Sequence, residues 1–227
     1  LRAGARGSRD SERKARLVNS NANVSVIGAG QMGLGIAHAF AVSGFCVTLV
    51  DVNDGQLRKA EAAIHGIIAD GVQRGKVEAG AAEAARNRLK TTQDLDGAAK
   101  DAELIVETAT ENLPVKLKII GTIARAASPE AVIASNTSAL SITELAAASK
   151  RPERFAGMHF FNPVHKMKLV EIIKGIATSA DTVARIQEWC AAIGKTSIVV
   201  NEAPGFTTSR ISSLLGNEAM WMLSEGV

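Results

Sequence analysis

A glycine triplet constrains this chain more than any other feature. Val24, Val26 and Ile27 form a short β-branched run that feeds into Gly28-x-Gly30-x-x-Gly33, and small apolar residues follow through Ala37. The pattern predicts strand, tight turn and buried helix. Glycine is needed at each position for its own physical reason. Gly28 makes the turn, Gly30 lets backbone approach a pyrophosphate, and Gly33 lets helix and strand pack closely. The first turn of the helix, Gln31 and Met32 included, offers free N–H groups and the positive end of its dipole to phosphates. A single match of this kind is weak, and the bland alternative is an ordinary βα turn. Here a second strand, Val47-Thr-Leu-Val-Asp51, ends in an acid about twenty residues past the glycines, as a dinucleotide fingerprint requires. Asp51 can accept both ribose hydroxyls of an adenosine and repels a 2′-phosphate, so NAD is expected rather than NADP.

The 227 residues suffice for one large domain, or a domain with part of another. Apolar content of 46% with 22% charge is ordinary for a globular protein, and no run approaches the roughly eighteen apolar residues of a membrane span. The net charge of +3 is misleading. Residues 1–20 carry six cations (Arg2, Arg6, Arg9, Arg13, Lys14, Arg16) against Asp10 and Glu12, which is +4 and leaves −1 for the rest. That balance gives no nucleic-acid-binding face. The first twenty residues lack hydrophobic periodicity and read as a disordered basic leader. A cytoplasmic protein is expected, with the mitochondrial matrix as the alternative if the leader is a transit peptide. Cys46 and Cys190 are far apart and lack a C-x-x-C partner, so two buried free thiols are expected, with neither zinc nor a disulfide.

Strands and helices alternate along the chain. Helices are expected from Asp54 through Ile68 and from about Val77 to Leu89, with Arg58, Lys59, Arg74, Lys76 and Arg86 along them as a solvated face or a site for a polyanion. Leu104-Ile-Val-Glu107 is a buried strand; Asn112 and Pro114 then open a helix. Val132-Ile-Ala-Ser135 is the next strand, and Ser141-x-x-Glu144 is a capping box. Further strands are expected at Phe155–Phe160, Lys168–Ile173 and Thr196–Val200, with a helix near Asp181–Ile193 closed by Gly194. The fold class is α/β, a Rossmann-type doubly wound, mostly parallel sheet over residues 21–202. After Pro204-Gly205-Phe206, an amphipathic helix from Arg210 to Leu223 has no partner for its apolar face. Residues 203–227 therefore read as the first helix of a truncated all-α C-terminal domain.

Functional groups in such a sheet gather beyond the carboxyl ends of the strands. Glu107, Glu111, Ser138 and the cluster His159-Phe-Phe-Asn162-Pro163 lie at or just after such ends. Dehydrogenating an alcohol needs a base for the hydroxyl proton, and histidine is the usual choice because it titrates near neutrality. His159 competes with three others. His38 lies in the glycine-loop helix, His65 in a helix among apolar neighbours, and His165 in a surface loop or against a substrate phosphate. Glu171, on the following strand, is the candidate partner for His159, and no metal site is expected.

Five motifs, Val26-Ile-Gly-Ala-Gly-Gln-Met-Gly33, Ser135-Asn-Thr-Ser-Ala-Leu140, Arg154-Phe-Ala-Gly-Met-His-Phe-Phe-Asn-Pro-Val164, Met167-Lys-Leu-Val-Glu171 and Ala203-Pro-Gly-Phe206, together resemble the L-3-hydroxyacyl-CoA dehydrogenase family, nearest its bacterial 3-hydroxybutyryl-CoA branch. The resemblance covers about residues 22 to 227. It implies NAD-dependent interconversion of L-3-hydroxyacyl-CoA and 3-ketoacyl-CoA in fatty acid metabolism, with acyl-CoA as the small-molecule partner. It also implies a catalytic dyad of His159 with Glu171, Ser138 on the reacting oxygen, and Asn162 fixing nicotinamide and base. Glu111 and Lys116 would stand near the nicotinamide ribose, and Arg74 and Lys76 would meet the CoA nucleotide. Ser209 stands where many members carry asparagine to grip substrate. Full-length members form homodimers through a helical domain of which this chain holds the first helix. On that basis NAD binding is expected, with weak handling of acyl-CoA and a tendency of the exposed helix to associate. The rival expectations are a hydroxyacid dehydrogenase acting on a free acid and a crystallin-like nucleotide-binding protein without turnover.

Overall fold

The computed structural model describes residues 22–227; the expected leader, residues 1–20, lies outside them. β1 (Asn23–Ile27), α1 (Gln31–Val42) and β2 (Cys46–Val50) form the first βαβ unit. α2 (Asp54–Gln73), α3 (Ala79–Arg88), β3 (Leu89–Thr92) and α4 (Leu95–Lys100) follow, then β4 (Leu104–Glu107), α5 (Leu113–Ala126), β5 (Val132–Ser135) and α6 (Ile142–Ala148). β6 (Phe155–Phe160), β7 (Leu169–Lys174), α7 (Ala180–Ala192), β8 (Thr196–Asn201) and α8 (Thr208–Glu225) complete the chain. One sheet has the order β3-β2-β1-β4-β5-β6-β7-β8. Every pairing is parallel except β6 with β7. The connections run outward in opposite directions from β1, so the sheet's switch point lies between β1 and β4, where a ligand crevice is expected.

Alternation along the strands feeds two cores. Val24, Val26, Leu104, Val106, Met158 and Ile172 join the α1, α2 and α7 side with Phe40, Ile64 and Trp189. Ile27, Ile105, Ile133, Phe155 and Ile173 join the α5 and α6 side with Ile120, Leu145 and Phe206. Local signals account for the helix ends. The Asn53, Asn112 and Ser141 side chains accept from Gln56 N, Val115 N and Glu144 N at 3.1 Å each, and Gly194 takes φ +68° after α7. Gly157 is needed for packing: a Cβ there would come within 2.9 Å of Ile142 and Ile173, so α6 could not approach β6.

Three sequence expectations change. The helix expected to run to Leu89 stops at Arg88, and Leu89–Thr92 is an edge strand. Its residues Lys90, Thr91 and Thr92 lack an apolar run, and its pairing with Val47–Val50 is what makes it a strand. The short helix α4, capped by Asp94, is an addition to the expected elements. Cys190 is buried, and burial pushes its thiol up to about 12, but Cys46 is only half-buried. α8 buries no residue, and Ile211, Leu214, Leu215 and Trp221 are exposed along it. Among the described residues no helix is long and apolar enough to cross a membrane, and no group of three or more His, Cys, Asp or Glu could hold a metal.

Candidate active site

At the switch point, the turn after β1 has the shape its glycines demand. Gly28 has φ +107°, and a Cβ on Gly33 would sit 1.8 Å from the Gly28 carbonyl oxygen. Neither position accepts a side chain. A Cβ on Gly30 would meet nothing within 4 Å, so that glycine faces the open crevice. The first helical hydrogen bond of α1 runs from Leu34 N to the Gly30 carbonyl, and no side chain caps the helix. The N–H groups of Gln31, Met32 and Gly33 therefore point at the crevice without intrahelical partners, as a phosphate site requires. Asp51 stands beside the turn, its Oδ2 accepting from Ala29 N at 2.8 Å and its Oδ1 from Asn53 N at 2.9 Å. Each oxygen keeps a lone pair for a ribose hydroxyl. These residues fit an NAD-type dinucleotide.

Across the crevice, β6 and β7 place His159 directly opposite Glu171 in antiparallel register. His159 Nδ1 and Glu171 Oε2 are 2.8 Å apart, with Glu171 fully buried. The carboxylate fixes the Nδ1–H tautomer, which leaves Nε2 as an acceptor. Phe161 and Phe206 pack against the imidazole, with centroids 4.7 and 5.8 Å away. Phe206 itself has φ +49°, a left-handed conformation that costs an aromatic residue about 1–3 kcal/mol and persists because its buried ring is locked in place. That turn aims the start of α8 at Glu171. Oε1 accepts from Thr207 N and Thr208 N at 3.2 and 3.0 Å, and Oε2 accepts from the Thr208 hydroxyl at 3.0 Å. The charge on Glu171 thus sits at a helix N-terminus.

A cleft of about 370 Å³ opens beside the dyad, lined by Met32, Asn136, Ser138, His159, Asn162, Thr208, Ser209 and Ser212 among others. Five of the expected residues (Met32, Ser138, His159, Asn162, Ser209) therefore meet on one cleft. Lys116 and Glu111 stand behind it. The Lys116 ammonium is buried and donates to both Glu107 oxygens at 2.9 Å and to the Ala109 carbonyl at 3.1 Å, with Glu111 Oε2 at 3.6 Å. Its three protons are used within the chain. Glu111 Oε1 accepts from Ser138 N at 3.0 Å and from the Thr137 hydroxyl, so Glu111 sets the Ser138 loop. Arg74, paired with Asp70 at 2.8 Å, and Lys76 are exposed beyond the end of α2 and do not line the cleft.

The other histidines separate cleanly. His38 is buried in α1, and burial first, then His165 and Lys195, hold it down at about 4. His65 is half-buried in α2, and His165 is exposed. Sequence reasoning missed Thr208, Asn136 and Ser212. Of these, Thr208 was detectable, since a hydroxyl at a helix start just after a Pro-Gly turn is a ready donor to a carboxylate.

The doubly wound sheet, the glycine turn with its acid, and a His–Glu pair facing the crevice define a dinucleotide-dependent dehydrogenase. Residues 23–203 match the NAD binding domain of 3-hydroxyacyl-CoA dehydrogenase. Over 204 residues the chain is 46% identical to a 3-hydroxybutyryl-CoA dehydrogenase of Bradyrhizobium diazoefficiens, covering 90% of this chain and 69% of that relative. It is 40% identical over 207 residues to a probable 3-hydroxybutyryl-CoA dehydrogenase of Bacillus subtilis, covering 90% and 71%. The crystal structure of (S)-3-hydroxybutyryl-CoA dehydrogenase from Ralstonia eutropha superposes with a TM-score of 0.87 at 40% identity, covering 90% of this chain and 72% of that one. The chain belongs to the 3-hydroxyacyl-CoA dehydrogenase family of NAD-dependent oxidoreductases.

Proposed function

We propose that this chain interconverts an L-3-hydroxyacyl-CoA, such as 3-hydroxybutyryl-CoA, and the matching 3-ketoacyl-CoA, with His159 as the acid–base residue. The observation that carries the proposal is the buried 2.8 Å contact between His159 and Glu171 at the mouth of a cleft that also holds Ser138 and Asn162. When bound, NAD supplies the hydride acceptor. In the oxidation direction His159 Nε2 takes the hydroxyl proton as the C–H hydride leaves, and Glu171 stabilises the imidazolium that results. The Ser138 hydroxyl donates to the same substrate oxygen. In the reduction direction the imidazolium returns the proton. The overall balance is L-3-hydroxyacyl-CoA + NAD⁺ giving 3-ketoacyl-CoA + NADH + H⁺.

In this reading Gly28, Gly30, Gly33, Gln31 and Met32 receive the pyrophosphate, Asp51 the adenosine ribose, and Asn162 the nicotinamide. Glu111 and Lys116 shape the nicotinamide ribose side, Ser209 contacts the acyl thioester, and Arg74 and Lys76 attract the CoA phosphates. Residues 21–202 form the cofactor domain, and 203–227 begin a helical part through which two copies would pair. The family match ending at residue 203 and the exposed apolar row of α8 support that division. The unpaired thiols support a reducing, cytoplasmic setting. The test is NADH oxidation with acetoacetyl-CoA, run beside free acetoacetate and with NADPH in place of NADH. Oxidation requiring both the thioester and NADH supports the reading; equal rates with free acetoacetate would move the chain to the hydroxyacid dehydrogenases, and NADH binding without turnover would make it a binding protein.

A further inference from the structure

Glu107 ends β4 at the switch point and is fully buried, touching neither the crevice nor solvent. Its carboxylate accepts from Ala109 N at 2.6 Å, from Lys116 Nζ on both oxygens at 2.9 Å, and from the Ser135 hydroxyl at 2.6 Å. Its backbone carbonyl accepts from Asn136 N at 2.8 Å. A buried ion pair of this kind is a poor source of stability, because desolvating two charges offsets most of their attraction. What this pair does is hold two loops. Thr108, next along, donates its N–H to the Ile27 carbonyl and its hydroxyl to the Ile27 and Gly28 carbonyls, and backbone atoms of Thr108 and Ala109 lie 3.0 Å from where a Cβ on Gly28 would fall. On the far side, Lys116 approaches Glu111, which accepts from Ser138 N. The phosphate-binding turn and the Ser138 loop are thereby tied to a single buried carboxylate.

We propose that Glu107 is a positioning residue: its pairing with Lys116 sets the spacing between the glycine turn and Ser138, and so the alignment of nicotinamide and substrate oxygen. This rests on the functional reading above for the roles of the two loops. The test compares wild type, Glu107→Gln, and the double variant Glu107→Gln/Lys116→Met, which removes both charges so that neither is stranded. The double variant is expected to melt at the wild-type temperature. Amide exchange at Ala109 and Ser138 in the cofactor-free protein is expected to become fast, and the emission of bound NADH to lose its wild-type shift. With acetoacetyl-CoA, kcat is expected to fall about 100-fold at unchanged KM, the scale of a roughly 1 Å misalignment. A double variant that keeps wild-type kcat and exchange protection would overturn the proposal, and so would one that unfolds, since the pair would then be a folding element. Should wild type ignore acyl-CoA, the functional reading falls, while exchange and NADH emission still decide the role of Glu107.

Discussion

Glu107 and Glu171 are both completely buried carboxylates, each saturated with hydrogen bonds and each facing a nitrogen base, yet their surroundings differ in one respect. The Glu107 partner is an ammonium whose protons are all used inside the chain, so that region is closed. The Glu171 partner is an imidazole with a second nitrogen left over, at the mouth of a cleft. The same acid buried in the same sheet is closed on its partner in one place and, in the proposed mechanism, supports proton transfer in the other. What separates them is whether the partner has an unused atom and somewhere to direct it.

The sharpest way to break that contrast is Glu171→Gln. The amide still accepts from Thr207 and Thr208, but its NH₂ favours the wrong His159 tautomer, placing the proton on Nε2. A fall in kcat of about 10⁴-fold with unchanged NADH affinity is expected from steady-state kinetics and fluorescence titration. Next is Lys116→Met, which strands Glu107 without its cation. A loss of about 4 kcal/mol in denaturant unfolding is expected, and the double variant should restore it. His38 gives a third contrast, a buried base with no partner for Nδ1. Its value of about 4 in the folded chain lies below the ordinary 6.5, so the unfolded chain binds the proton first. Its stabilising contribution is full above pH 6.5 and declines as pH falls toward 4, by about 3 kcal/mol in all. Urea midpoints across that range should fall with pH, and His38→Leu should flatten the decline. The smallest effect belongs to Thr208→Val, which removes one of three donors from α8 to Glu171. It should cost about 1–2 kcal/mol in the same unfolding assay and leave NADH binding unchanged.

Much of this was legible in the residues because it is local. The glycine spacing requires the turn, period-two apolar alternation requires the buried strands, and Asn112 and Ser141 announce their own helices. The pairing of His159 with Glu171 needed only two adjacent strands in register. The closed region was harder to read. Glu107 stood out as a strand-end acid and Lys116 as a residue near the ribose, but nothing local says that the two neutralise each other across a loop. Lys116 looks like a free cation in sequence and has no free proton in the fold. β3 escaped for a related reason, since Lys90-Thr-Thr becomes a strand only through the edge that β2 offers. Thr208 gained its role from the left-handed turn at Phe206, which directs the start of α8 onto Glu171.

Acid–base chemistry on a CoA thioester in the open region is tested most directly by following NADH absorbance with acetoacetyl-CoA for wild type and His159→Ala, with NADH affinity measured alongside. Wild type should oxidise NADH, the variant should lose turnover by at least about 10²-fold, and the two should bind NADH equally. Wild-type turnover in His159→Ala would contradict the assignment of His159 as the base.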